Sequence, residues 1–318
     1  MKRVELKAAE ACELIRSIGN TPMVRLKHIT SHLSDSIQVY AKLERFNPGG
    51  SVKDRAAWWM LRGGLESGRL TKEKIILDST SGNTGIALAM LGARLGYRVR
   101  LVMPGNVSQE RKRIMRAFGA EMIFTDPLEG NGAAILEARR IYHENPAAYF
   151  KPDQYDNPDN PLAHEATTGP EIWRDSNGAI THFIAATGTS GTLSGTGRFL
   201  KSKNSAIRVI AAEPDSPFHG IEGIQHMASA ITPVIYDNTL YDETIGIDTE
   251  DAYTLTRRLA AEEGLLCGQS SGCALAATLH VAERLDPNLP AVLVTIFPDG
   301  GEKYLSTPVY AYSGEVGT

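Results

Sequence analysis

The chain has 318 residues, 42% of them apolar and 22% charged, enough for about two domains with a packed core in each, which excludes collagen, disorder and a small disulfide scaffold. Its 33 Lys plus Arg against 37 Asp plus Glu give a net charge of −4, without the basic excess that a phosphate-backbone binder needs, so nucleic acid is not an expected partner. With no run of about 18 apolar residues, with Glu5, Glu10 and Glu13 where a signal peptide is apolar, and with Cys12, Cys267 and Cys273 in no C-x-x-C pair, the expectation is an intact cytosolic protein with free thiols and no membrane contact.

Short β-branched runs alternate with helical segments. SIQVYAKLER (36–45) reads as a strand, and AAWWMLRGGLESG after Lys53 as an amphipathic helix. Strands follow at KIILDS (74–79), RVRLVMP (98–104) and EMIFTD (121–126). The prolines, Asp and Asn of KPDQYDNPDNP (151–161) leave room for neither strand nor helix and mark a domain crossing. Beyond it come HFIAAT (182–187), IRVIAAE (207–213), the short LLC (265–267) and AVLVTIF (291–297). Residues 214–238 have little period, which in a compact domain marks a functional loop, with Gly220 and Gly223 as its expected hinges. The rhythm is that of an α/β chain with mostly parallel sheets flanked by helices.

Three strand ends pass through a Gly/Ser/Thr turn into a helix. They are Thr80-Ser81-Gly82-Asn83-Thr84-Gly85, Gly188-Thr189-Ser190-Gly191-Thr192 and Gly268-Gln269-Ser270-Ser271-Gly272. A helix start offers unpaired N–H groups and partial positive charge, so each turn suits a carboxylate or phosphate. Any one of them could equally be a cap. Together they gain weight, because ligands of parallel sheets bind at the carboxyl ends of strands. The P-loop pattern is absent, and 188–197 is not G-x-G-x-x-G. The third turn fits G-x-S-x-G, but the only later histidine, His280, has no acid between it and Ser270, so the hydrolase triad order fails.

The remaining outlier is Asn47-Pro48-Gly49-Gly50-Ser51-Val52-Lys53-Asp54-Arg55, a glycine turn that delivers a lysine to a helix start. The positive helix end opposes its charge and favours a neutral amine, the form an imine-forming lysine needs. A solvated Lys53 paired with Asp54 satisfies the spacing equally well.

These residues resemble the fold-type II pyridoxal-phosphate enzymes, with a tryptophan synthase β-like two-domain fold. Asn47–Arg55, Thr80–Gly85, the 188–192 loop, Gly268–Gly272 and Gly-Glu-Lys-Tyr-Leu-Ser-Thr at 301–307 look like the cysteine synthase and cystathionine β-synthase family, collinear from Ile18 to Thr307. Met103–Arg111 and Asn157–Pro161 with Thr168–Trp173 are most similar to the cysteine synthase B branch, and Leu265–Gly268 to cystathionine β-synthase. The resemblance implies a larger domain of residues 1–41 and 151–318 that binds the cofactor phosphate, and a smaller domain of residues 42–150 that clasps the substrate.

It further implies that Lys53 forms the internal aldimine with pyridoxal 5'-phosphate and acts as the general base. Gly188, Thr189, Ser190, Gly191 and Thr192 would hold the phosphate, Asn83 would reach the phenolic oxygen, and Ser270 would face the pyridine nitrogen. A hydroxyl cannot hold a proton on that ring, so elimination is favoured over transamination. Thr80, Ser81, Gly82 and Thr84, with Gln154 opposite and Gly223 and Gln225 on the long loop, would bind the amino-acid donor. The implied reaction is β-replacement on an activated L-serine, by default O-acetyl-L-serine, by sulfide or another thiol through an α-aminoacrylate. In cysteine synthase B-like enzymes the loop corresponding to residues 223–227 often carries arginine, and Gln225 and His226 here weaken a carry-over of phosphoserine or thiosulfate use. A homodimer and no metal are implied. The alternatives are a cystathionine β-synthase using homocysteine, or a silent ligand-binding regulator on the same scaffold.

Overall fold

The computed structural model describes residues 2–80 and 82–311, without the side chains of residues 2–5, 130 and 131. Its strands are β1 (Met23–Arg25), β2 (Ile37–Leu43), β3 (Ile75–Ser79), β4 (Val99–Pro104), β5 (Glu121–Thr125), β6 (Tyr149–Phe150), β7 (His182–Ala186), β8 (Arg208–Pro214), β9 (Glu243–Ile247) and β10 (Ala291–Phe297). Its first helices are α1 (Lys2–Glu10), α2 (Glu13–Arg16), α3 (Lys53–Ser67), α4 (Asn83–Leu95), α5 (Gln109–Ala117) and α6 (Gly130–Glu144). They are followed by α7 (Asp159–Ala163), α8 (Gly169–Asp175), α9 (Gly191–Lys203), α10 (Thr249–Glu263) and α11 (Gln269–Ala282), with a π-helical turn, His164–Thr168, between α7 and α8.

The chain forms two compact units, Met1–Ile18 with Asn47–Asn160, and Gly19–Phe46 with Pro161–Thr318. The N-terminal segment differs from the sequence-based division. Ala9, Cys12 and Ile15 bury themselves against Ala57, Trp58 and Leu61 of α3, which ties residues up to 18 to the first unit.

The first unit holds a parallel sheet in the order β5-β4-β3-β6. Ile76, Leu101 and Met103 face α3 and α4, whereas Ile75, Leu77 and Val102 face Ala134 and Ala138 of α6. The second unit holds the order β1-β2-β10-β7-β8-β9, parallel except for β1. Alternate residues again serve two cores. Ile184, Ile210 and Leu293 pack with Leu259 and Leu275 of α10 and α11, and Phe183, Val209 and Val294 pack with Ile172, Leu193 and Leu200 of α8 and α9. Two covered faces are why these strands read as unbroken apolar runs.

Some expectations are corrected. LLC is no strand, since Cys267 makes only an isolated antiparallel bridge to Gly300 before α11 begins. Helix α7 starts inside the 151–161 loop because Asn157 Oδ1 accepts the Asp159 N–H at 3.0 Å. Strands β1 and β6 are three and two residues long, and β9 is a half-exposed edge containing a glycine. Short or mixed strands carry little periodic signal of their own. The three cysteines are free and buried, and burial pushes the Cys267 and Cys273 thiols up to about 12, which leaves them protonated and inert.

Candidate active site

Each sheet has one place where the chain reverses its order. In the first unit β3 leads outward to β4 and β5, and β6 returns to the opposite side of β3. In the second, β7 leads to β8 and β9, and β10 returns to the opposite side of β7. Crevices at the carboxyl ends of such strand pairs are where open α/β sheets take ligands. Residues 80–84 and Gln154 follow β3 and β6 at the first reversal, and residues 188–192 follow β7 at the second, whereas Lys53 and Ser270 sit at the starts of α3 and α11.

In the first unit Lys53 is the first residue of α3 and is half-buried. Its backbone N–H donates to Ser51 Oγ at 3.2 Å, and the following Asp54 accepts the Gly49 N–H at 2.5 Å, so the glycine turn is fastened onto the helix it starts. Thr80 is buried at the end of β3, and its Oγ1 accepts the Gly82 N–H at 3.3 Å. Asn83 opens α4. Ser81 lies outside the described residues. Thr84 donates its hydroxyl to Gln154 Oε1 at 2.7 Å, which joins the turns after β3 and β6. Buried Arg111 of α5 stands with its guanidinium 3.8 Å from the position a Cβ on Gly82 would take, so a fixed cation lies beside this turn.

In the second unit the turn after β7 leads into α9, with Gly188 and Thr192 half-buried and Thr189, Ser190 and Gly191 buried. Ser190 has φ +70°, a left-handed conformation that costs a serine on the order of 1–2 kcal/mol and is commonly found at ligand clamps. A Cβ on Gly188 would lie 2.7 Å from the Gly223 carbonyl oxygen, and the Gln225 N–H donates to Thr187 O at 2.9 Å. Gly223 and Gln225 therefore sit directly against this turn. Gly223 has φ +85°, a conformation that glycine adopts without steric cost. Gly220 is tied down on both sides, because Tyr253 donates to its carbonyl at 2.8 Å and its own N–H donates to Thr249 Oγ1 at 3.2 Å. Ser270, buried, is the second residue of α11, and Gly268 ahead of it donates to Asp299 O just beyond β10.

A profile described as "Pyridoxal-phosphate dependent enzyme" matches residues 14–299. The chain belongs to this family. A cysteine synthase of Aquifex aeolicus is 50% identical over 94% of this chain and 92% of its own length, and cysteine synthase B of Salmonella typhimurium is 42% identical over 93% and 95%. The cysteine synthase structure of Entamoeba histolytica superposes with a TM-score of 0.89 at 41% identity, covering 96% of this chain and 92% of that one. The fold is that of the fold-type II enzymes, and the cofactor is pyridoxal 5'-phosphate.

As a pyridoxal-phosphate enzyme the chain must hold a dianionic phosphate, and the turn after β7 fits one. Ser190 Oγ is buried with no partner at hydrogen-bond geometry among the described residues, the Tyr241 hydroxyl that also acts on it being paired with Ser194 at 3.0 Å. An orphaned hydroxyl of this kind costs about 1–3 kcal/mol unless a ligand satisfies it. The helix start behind it adds N–H donors and a favourable dipole.

Sequence reasoning missed two residues. His164 is buried in the π-helical turn, with its ring nitrogens 2.9 Å from Thr168 Oγ1 and 3.3 Å from Thr192 Oγ1, so it steadies a hydroxyl of the phosphate-fitting turn. The spacing of His164 and Thr168 was the available signal. Asp78, buried at the end of β3, accepts the Ser79 N–H at 2.8 Å. Within an apolar strand it gave none.

Proposed function

We propose that this chain is a cysteine synthase, which replaces the β-acetoxy group of O-acetyl-L-serine by sulfide and releases L-cysteine and acetate. The observation that carries this is 50% identity, over 94% of the chain, to a cysteine synthase. When bound, pyridoxal phosphate supplies an electron sink conjugated to the substrate's amino group, so that a Cα–H bond can break and a β-substituent can leave.

Lys53 would hold the cofactor between turnovers, and its Nζ, when free, would take the proton from the substrate's Cα and later return it. Its position at a helix start, on a turn fastened by Ser51 and Asp54, supports that role. Thr80, Ser81, Gly82 and Thr84 bind the substrate carboxylate through hydroxyls and helix-start N–H groups. The Thr84 hydroxyl is already donated to Gln154 Oε1, so it orients this amide, whose Nε2 gives one hydrogen to Ser79 O at 3.4 Å and has its second for the carboxylate. Asn83 would donate to the phenolic oxygen, and Gly188, Thr189, Ser190, Gly191 and Thr192 would hold the phosphate. A Ser270 hydroxyl at the ring nitrogen would disfavour a permanently protonated ring. The same function implies a homodimer, a cytoplasmic location and small-molecule partners only. No described helix is long and apolar enough to cross a membrane.

The test is direct. Purified protein supplied with pyridoxal phosphate, O-acetylserine and sulfide should form cysteine faster than serine and homocysteine form cystathionine. The reverse preference would reassign the reaction.

Donor choice gives a second expected result. Gln225 Oε1 is buried without a partner among the described residues, and an arginine there would present a cation to an anionic leaving group. Gln225→Arg should raise kcat/KM for O-phosphoserine relative to O-acetylserine by up to about tenfold, the effect of about 1.4 kcal/mol. An unchanged ratio in steady-state assays would place donor selection elsewhere.

A further inference from the structure

Asp78 is almost completely buried. One of its carboxyl oxygens accepts the Ser79 N–H at 2.8 Å, and the backbone N–H of Gln154 is also directed at the carboxyl. The other oxygen, Oδ2, is buried with no hydrogen-bond partner among the described residues. The same two segments are joined again on the other side. Gln154 Nε2 donates to Ser79 O at 3.4 Å, Thr84 donates to Gln154 Oε1, and Asn160 Nδ2 holds the Gln154 carbonyl at 2.7 Å. Asp78 is thus the one carboxyl among these contacts, and it lies where the turn after β3 meets the turn after β6.

The groups that act on it electrostatically all come from the segment after β6. Lys151 is ion-paired with Asp153, and the Tyr155 phenol, pushed up to about 12, is neutral. Its register partner on β4 is the apolar Leu101. With Asp78 protonated this cluster is neutral. With Asp78 ionised it carries one net negative charge, on a carboxyl that is itself buried although Asp153 is 30% exposed, beside residues that are to receive a carboxylate.

We infer that Asp78 is a positioning residue for the substrate carboxylate, holding Ser79 against Gln154 and taking a proton from solvent when the substrate's carboxylate binds. The inference rests on the proposed assignment of Thr80–Thr84 and Gln154 to that carboxylate. Burial pushes the Asp78 carboxyl up to about 7, Lys151 opposing the shift and Asp153 adding to it. Proton exchange on binding is therefore accessible near neutrality. The sign follows from linkage. Raising the pH ionises Asp78 and weakens anion binding, and bound anion in turn raises its proton affinity.

The experiment is calorimetric titration of the holoenzyme with L-alanine, which has the substrate's carboxylate and amine but no leaving group. At pH 7.5, in two buffers of different ionisation enthalpy, wild-type protein should take up more than about half a proton per alanine beyond the Asp78→Asn variant. The ratio of its Kd to that of Asp78→Asn should rise about tenfold between pH 6.5 and 8.5, a comparison that cancels the titration of alanine's own amine. Asp78→Ala, which leaves the Ser79 N–H without this acceptor, should bind more weakly than Asp78→Asn at every pH.

Wild-type proton uptake at pH 7.5 no greater than that of Asp78→Asn would overturn the inference. So would identical pH dependence in Asp78→Asn, or equal affinity of the Ala and Asn variants. Absence of alanine binding would remove the carboxylate assignment and the inference with it. Failure to make cysteine from O-acetylserine and sulfide, with alanine binding intact, would instead count against the proposed reaction alone.

Discussion

Lys53→Ala should lower kcat/KM for cysteine formation by at least about a thousandfold, or about 4 kcal/mol of transition-state stabilisation. General acid–base catalysis by one positioned group is worth about 10²–10⁴, and this residue is proposed to serve both as the cofactor's covalent anchor and as the base at Cα. The variant should still retain cofactor noncovalently, because the phosphate-fitting turn, with its orphaned Ser190 hydroxyl, lies in the other compact unit and is untouched. Steady-state kinetics and the cofactor's visible absorption after desalting separate the two effects. Near-normal turnover would remove Lys53 from the mechanism. Full loss of cofactor would show that the covalent link, not the turn, dominates binding.

The largest structural effect is expected at Gly272. A Cβ there would stand 2.0 Å from the Ala252 carbonyl oxygen and 2.2 Å from Thr256 Oγ1, so α11 meets the backbone of α10 with no space between them. Backbone cannot yield as a flexible side chain can, and Gly272→Ala must push the helices apart and open the core around Leu259 and Leu275. A cost of about 3 kcal/mol, at the upper end for overpacking, is expected. A unit of this size loses about 2–4 °C of Tm per kcal/mol, so thermal denaturation should show a fall of about 10 °C. A change under about 2 °C would mean that the helices part freely.

Gly272 also shows where sequence reading reached its limit. The Gly268–Gly272 turn stood out as an anion cradle because its glycines and serines cluster at a helix start, yet Gly272 itself is required by helix contact. The three turns and the glycine turn ahead of Lys53 stood out because runs of glycine and hydroxyl residues interrupt the apolar pattern, whereas the roles proposed for Lys53 and Gln154 came from the family resemblance. The long runs IILDS, HFIAA and AVLVTIF were legible because both faces of each are covered. Single residues whose meaning is tertiary were not. Lys42 reads as an intrusion in an apolar strand, and only the fold brings Glu171 to 2.9 Å and Asp175 to 3.0 Å from its buried ammonium. Asp78 and His164 acquire their roles from Gln154 and Thr192, partners 76 and 28 positions away in the chain. The anchoring of Gly220 by Tyr253 and Thr249 likewise has no local signature.

The claim on which the chemistry turns is that Lys53, at the start of α3, carries the cofactor. Borohydride reduction of the holoenzyme followed by peptide mapping reads this out. The expected product is a phosphopyridoxyl group on Lys53 alone, absent from Lys53→Ala. Stable labelling of another lysine in wild-type protein, such as the buried Lys42, Lys112 or Lys303, would contradict it.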